Sequence, residues 1–324
     1  MHAIVVDRVG DPSVLEWREV PDPVPGPGEL TIRVIATGVN FADVMRRRGG
    51  YRGGPPPFTP GLDCVGTVVA VGEGVRDLRA GQRVAAFPDA GSYVEIALAR
   101  PVLTYPVPDG VSDDAAASLT VLVTAYNTLA AVARLQKGET VVITSGAGGV
   151  GSTAIQVARA LGAGRIIATA GGAGKAAQAR ESGADVAIDH TTAGDLAAAV
   201  RDANGGRAVD VIVDAVAGDT FNQLLPALAT YGRYVIYGMA SGKPGTVATD
   251  VLHNGNRAVL GYTTGGYRAE RPEGLRPGVE AAFGMVARGD VRVAVGKRFP
   301  LREAPEAQRF VESRASTGKV LLVP

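Results

Sequence analysis

The chain has little of what metal and thiol sites are built from: one cysteine, three histidines and one tryptophan in 324 residues. A lone cysteine, Cys64, excludes an intramolecular disulfide, and its place in the apolar run CVGTVVAV reads as a small core residue. The histidines, His2, His190 and His253, are far apart and share no metal-ligand spacing. Net charge is also nearly absent. A formal +1 gives no field that would steer a polyanion, which argues against nucleic acid or a membrane surface as partner. No uncharged apolar run approaches the roughly 18 residues of a membrane span. The opening MHAIVVDRVGDPSVLEW has no basic segment followed by an apolar one, so a cytoplasmic protein is expected. The run Arg46-Arg47-Arg48 reads as a solvated helix face.

What is present is an ordinary globular balance, 46% hydrophobic and 20% charged, in a chain longer than one core usually supports. Two domains are expected. The stretch from Thr140 to Ala163 organises the rest. Its β-branched run TVVIT leads into SGAGGVG, after which Val150, Ala154, Val157 and Leu161 recur at helical spacing. Strand, turn and helix are the context in which Gly146, Gly148 and Gly151 of G-x-G-x-x-G bind a dinucleotide. The first glycine is expected to permit the turn, the second to admit the pyrophosphate, and the third to let helix pack on strand. Gly149 and Val150 place further backbone N–H groups at the positive end of the helix.

Upstream, short β-type runs such as ELTIRVIATGV, VGTVVAVG and YVEIALA alternate with Gly/Pro turns, which predicts a compact, mostly antiparallel β domain. One early helix, Phe41 to about Arg48, interrupts it. After the glycine turn, RIIATA, VAID, VDVIVDAV, RYVIYG and AVLGY alternate with helical stretches. With TVVIT they make the six strands of a doubly wound parallel sheet of Rossmann type. Beyond about Thr264 a Gly-, Arg- and Pro-rich linker, two short helices and the strands VAVGKRF and KVLLV are expected to return to the β domain. The domains are therefore 1–122 with 265–324, and 123–264, with a cleft between them.

In NAD sites an acidic residue about 20 positions past the glycines holds the ribose hydroxyls. Here RIIATA ends at Ala170, 19 residues after Gly151, and Gly171 and Gly172 follow. No carboxylate at this strand end repels a 2′-phosphate, and Lys175 supplies a counter-charge, so NADPH is the expected coenzyme.

Taken together, GVNFADVMRRRGGY, PGLDCVGTVVAVGEGV, LVTAYNTL, SGAGGVGSTAIQVARALGA, GADVAIDH and ESRASTGKVLL resemble the medium-chain dehydrogenase/reductase superfamily. Within it the chain resembles the zinc-independent quinone oxidoreductases, the ζ-crystallin-like branch, along essentially its whole length. The resemblance implies a GroES-like catalytic domain, a Rossmann domain, NADPH and a homodimer. It also implies that Asn40 and Asp43 lie at the nicotinamide and substrate end, Thr124 near the nicotinamide carboxamide, and Arg314 at the coenzyme. His190 stands where relatives often carry a tyrosine near the adenosine phosphate, and Gly238, which closes RYVIYG, is a further candidate for coenzyme binding. Met45 replaces an aromatic residue of some relatives. Asn40 and Asp43 have a second reading as caps of the helix at Phe41.

Zinc alcohol dehydrogenases of this superfamily hold an open tetrahedral metal site with thiolate and imidazole. None of the histidines, nor Cys64, falls in VNFAD or PGLD where those ligands belong, and the four-cysteine structural lobe is missing, so no metal is expected. Without a Lewis acid, hydride from NADPH needs an acceptor that delocalises its own charge, such as a quinone or an α,β-unsaturated carbonyl. A quinone takes its protons from water. An enone or enoyl thioester needs a proton at Cα, for which Tyr51 is the candidate donor, in line with the enoyl thioester reductases of the superfamily. A non-catalytic NADPH-binding protein is the third reading.

Overall fold

Six apolar runs in the middle of the chain form one parallel sheet, because each is apolar on both faces and must be covered on both. The computed structural model describes residues 1–50 and 54–324, and the chain divides into two units. The second unit comprises Val123–Gly266 and Arg288–Arg292. Its strands lie in the order Val186–Asp189, Arg165–Ala170, Thr140–Ile143, Val209–Asp214, Leu228–Ile236, Ala258–Gly261, all parallel. Counted along the chain this is 3-2-1-4-5-6, the dinucleotide-fold order. Leu196, Val200, Phe221 and Leu224 of the crossover helices pack on Val142, Ile167, Ile212 and Tyr234 of the strands. Each large apolar side chain so buried contributes about 1.5–3 kcal/mol.

The first unit comprises Met1–Leu122, Tyr267–Ala287 and Val293–Pro324. Its sheet is built on the long strand Leu30–Val39. Cys64–Val71, Arg83–Ala86 and Thr104–Pro106 follow on one side, Lys319–Val323 and Val295–Pro300 on the other, and Ile96–Ala99 also pairs with the long strand. All these pairs are antiparallel except the last two strands with each other. The chain is thus an α/β protein with a GroES-like, mostly β domain and a Rossmann-type domain. The C-terminal strand joins in the register Val320 opposite Val39 and Leu321 opposite Gly38, which brings Lys319 to Asn40, the residue that starts the helix Phe41–Arg47.

Three expectations need correction. The stretch from Thr264 to the first expected helix, near Val279–Arg288, is itself helical rather than a linker: Thr264–Glu270 and a 3-10 turn at Pro272–Leu275 run into that helix, which spans Arg276–Ala287. Pro272 and Pro277 each occupy a first turn, where a missing N–H costs nothing. Arg288–Arg292 groups with the second unit, where the Gln156 side chain bonds the Arg292 backbone at both ends (Nε2 to O 2.9 Å, N to Oε1 2.8 Å). Finally, Arg46–Arg48 is no solvated face. Arg47 is fully buried against Glu312 of the helix Ala304–Glu312, while Arg48, a helical step of 100° further on, lies outside and pairs with the same carboxylate.

Candidate active site

The glycine turn joins the first parallel strand to the helix Gly149–Ala160. Its left-handed residue is Ser145, at φ +54°, and not Gly146 as the motif suggested. Gly146 is needed for another reason: a Cβ there would lie 2.8 Å from that of Ala168 and 3.1 Å from that of Ala179, in the neighbouring strand and helix. At Gly151 a Cβ would lie 2.1 Å from the Ser145 carbonyl, so the third glycine lets the helix close on its own turn. Gly148, Gly149 and Val150 are half-buried at the helix start; the Gly148 N–H donates to the Ser145 carbonyl (2.9 Å), while the first-turn N–H groups from Gly149 on have no intrahelical acceptor. Anions are favoured there by both the free donors and the dipole.

The second strand ends at buried Ala170, and Gly171 is exposed beyond it. Lys175 lies in the first turn of the following helix, Ala173–Glu181. The His190 N–H donates to the Ala170 carbonyl (3.0 Å), and its ring nitrogen Nε2 comes within 3.3 Å of where a Cβ on Gly171 would be. Ala170, Gly171, Lys175 and His190 therefore gather at one strand end. Sequence reasoning missed Asp189 here. Its Oδ1 accepts from the Gly172 N–H (2.9 Å), the Thr191 hydroxyl (2.6 Å) and the Thr191 N–H (3.0 Å), bonds that hold its carboxyl below the usual range, the Thr191 hydroxyl most of all. The carboxylate is thus occupied in shaping the turn.

The strand order reverses between Thr140–Ile143 and Val209–Asp214, the switch point at which ligands bind in such sheets. Thr144 and Asp214, both fully buried, stitch it together. The Thr144 hydroxyl donates to Asp214 Oδ1 (2.9 Å) and accepts from the Ala215 N–H (2.9 Å). Asp214 also accepts from Val216 N, Ala217 N and the Tyr234 hydroxyl (2.8, 3.0 and 3.0 Å). Gly238 follows the next strand beside this turn, where Ala240 N–H donates to the Ala215 carbonyl (3.0 Å). Thr124 is separate from the glycine turn in the sequence and is held by buried hydroxyls: its Oγ1 lies 3.0 Å from that of Thr264, which donates to the Tyr262 hydroxyl (3.2 Å), as does Asn127 Nδ2 (3.1 Å). A π-helical turn, Asn127–Val132, follows, and such turns are frequent at functional sites.

In the first unit, Asn40 and Asp43 are brought together with two residues that sequence reasoning passed over, Asp63 and Lys319. Asn40 is half-buried at the head of its helix. Its Nδ2 donates to Asp63 Oδ1 (2.8 Å) and the Gly38 carbonyl (3.2 Å), and its Oδ1 accepts from Lys319 Nζ (2.7 Å). Asp43 is buried and accepts from the N–H groups of Asn40 (2.8 Å) and Gly61 (3.1 Å) and from the Tyr93 hydroxyl (3.3 Å). Burial pushes its pKa up to about 6, against the pull of the Asn40 N–H. The bond from the Asn40 N–H is the capping arrangement, through which Asp43 supports Asn40. Arg314 is exposed at φ +60°, one residue past the C-cap Ser313, and Met45 is half-buried on the early helix. Tyr51 lies outside the described residues.

Among the described residues no three His, Cys, Asp or Glu side chains are grouped as a metal ion would require. Burial pushes the Cys64 thiol far up, so it is a core side chain rather than a thiolate. The chemistry available is therefore anion binding at the helix start, a cation and an imidazole at the second strand end, and a fixed carboxamide in the first unit.

Residues 26–109 match the alcohol dehydrogenase GroES-like domain, and residues 149–279 match the family described as zinc-binding dehydrogenase. A quinone oxidoreductase of Pseudomonas aeruginosa is 36% identical over 320 residues, spanning 97% of each chain. A 2-haloacrylate reductase of a Burkholderia species is 33% identical, spanning 99% of this chain and 98% of the relative. The crystal structure of the Escherichia coli quinone oxidoreductase complexed with NADPH superposes over the full length of both chains, with a TM-score of 0.93 and 32% identity. On fold, motif order and full-length similarity, the chain belongs to the zinc-independent quinone oxidoreductase family of the medium-chain dehydrogenase/reductases.

Proposed function

We propose that the protein is an NADPH-dependent quinone oxidoreductase that moves a hydride to a quinone or another conjugated carbonyl. The observation that carries this reading is the second strand end: buried Ala170 stands where an NAD site places a carboxylate, with Lys175 in the first turn of the next helix. The residues fit such a coenzyme. The half-buried helix start at Gly149 and Val150 offers N–H donors to a pyrophosphate, and Lys175 and His190 offer a cation and a donor to a 2′-phosphate. When bound, NADPH supplies a hydride from C4 of its reduced ring. The chain's own part is to fix the coenzyme and the acceptor, which can bring several kcal/mol through orientation alone. Asn40 is the polar group proposed to meet them in the first unit, and Thr124, Gly238 and Arg314 are proposed as further coenzyme contacts.

A second reading, reduction of an α,β-unsaturated acid or thioester with Tyr51 as proton donor, is favoured by the similarity to the 2-haloacrylate reductase. NADPH oxidation measured side by side with an ortho-quinone and a 2-enoyl thioester separates them. Quinone turnover that survives Tyr51→Phe is expected. Thioester turnover alone, abolished by that substitution, would establish the second reading, and tight NADPH binding without reduction of either acceptor would overturn both.

The same reading expects a cytoplasmic homodimer, joined through the edge strand Ala258–Gly261 of the parallel sheet. Among the described residues no helix is long and apolar enough to cross a membrane.

A further inference from the structure

Lys319 is 2% exposed, and no carboxylate among the described residues lies within ion-pair distance of it. A buried ammonium without a direct counter-ion is costly unless its hydrogen bonds are well used. Those bonds go to the Asn40 side chain (Oδ1, 2.7 Å) and the Val39 carbonyl (3.2 Å). Burial draws its pKa down, while the nearby charges of Asp63 and Asp43 push it back up. Beyond Asn40 the chain of bonds continues to Asp63, whose other oxygen accepts from the Thr120 N–H (2.8 Å). Ammonium, carboxamide and carboxylate thus stand in a row.

The space for this row is built into the backbone. A Cβ on Gly38 would lie 2.6 Å from Lys319 Nζ and 2.7 Å from Asp63 Oδ1, so glycine there is what lets the two charged groups approach Asn40 from opposite sides. An ammonium only donates and a carboxylate only accepts, so the carboxamide has one possible orientation, Oδ1 to Lys319 and Nδ2 to Asp63. Both Nδ2 hydrogens are used, on Asp63 and on the Gly38 carbonyl. The Asp43 N–H of the capping box goes to the Asn40 backbone carbonyl (3.0 Å) and makes no side-chain cap bond, so half-buried Asn40 has one lone pair left on Oδ1.

We propose that Lys319 is a positioning residue: with Asp63 it locks the Asn40 carboxamide so that it offers a bound molecule one acceptor and no donor. The site then selects a ligand that brings an N–H or O–H to Asn40. This rests on the reductase reading only in taking Asn40 to face a ligand. Two sources have that chemistry, the carboxamide of the coenzyme and the hydroxyl of a reduced, quinol-type product.

The test is a double-mutant cycle on the full chain, Lys319→Met, Asn40→Ala and both, with dissociation constants for NADPH and, separately, for catechol, alongside thermal melting. Lys319→Met is expected to weaken one of the two ligands about tenfold, and to weaken it less than twofold when Asn40 is already alanine. Loss on NADPH assigns the donor to the coenzyme, and loss on catechol assigns it to the product. An equal loss with and without Asn40, or no loss on either ligand, overturns the proposal.

Should Lys319→Met fail to fold, the exchange Asn40→Asp with Asp63→Asn serves instead. It keeps an acceptor towards Lys319 and restores a donor between positions 40 and 63. Each single change is expected to weaken the same ligand about tenfold and the pair to recover to within threefold. A pair no better than its singles overturns the proposal. These are binding measurements, so a protein that binds NADPH but reduces no quinone would refute the reductase reading and leave this test readable.

Discussion

Asp43 shows how a carboxylate near a site can serve structure at a cost that depends on pH. Its folded pKa of about 6 lies above the ordinary 3.8, chiefly because burial disfavours the charged form. The folded state therefore keeps a proton that the unfolded chain releases. The resulting stabilisation is fully present below pH 3.8 and is lost as pH rises through 6. Relative to Asp43→Asn, the wild type is expected to lose on the order of 3 kcal/mol between pH 3.5 and pH 7, read from urea denaturation at a series of pH values. A difference that does not change with pH would refute the assignment. Asn40 and Asp43 were legible because they sit together in VNFAD. Lys319 was not, because it lies 279 positions from Asn40 and only the strand register joins them. Asp189 was passed over because sequence reasoning looked for a carboxylate at the end of its own strand and not on the neighbouring one.

At the scale of elements, the helix Phe41–Arg47 is fastened to Ala304–Glu312 by a buried ion pair. Arg47 Nη2 lies 2.8 Å from Glu312 Oε2, with the guanidinium fully buried and its pKa lowered to about 10 by burial. Removing one partner of such a pair strands a buried charge. Glu312→Ala is expected to cost about 3–5 kcal/mol in denaturant unfolding, and Arg47→Met in the same chain to recover more than half of it. If the double substitution were as unstable as the sum of the singles, the pair would not be the fastening. The arginine run hid this arrangement, since three adjacent charges read as one face while a helix turns each of them 100° from the last. The parallel strands were legible for the opposite reason. Burial on both faces leaves a continuous apolar run, as in TVVI and VDVIVD, that few other elements show. The glycine motif was legible as a motif but not in its mechanics, because the residue that bears the positive φ is a serine.

For the whole molecule, two features were readable at once: alternating strands and helices in the middle, and short β runs at either side that share a sheet. The return of the C-terminal strands followed from their being too short for a core of their own. The placing of Arg288–Arg292 in the second unit did not, because it depends on one glutamine side chain of that unit, Gln156. The proposed activity depends above all on which coenzyme the second unit holds. Calorimetric titration of the wild type and Lys175→Glu with NADPH and with NADH is the most direct measurement. NADPH is expected to bind the wild type at least about tenfold more tightly than NADH, and the substitution to remove that preference while leaving NADH nearly unchanged. Equal or tighter binding of NADH by the wild type would contradict it.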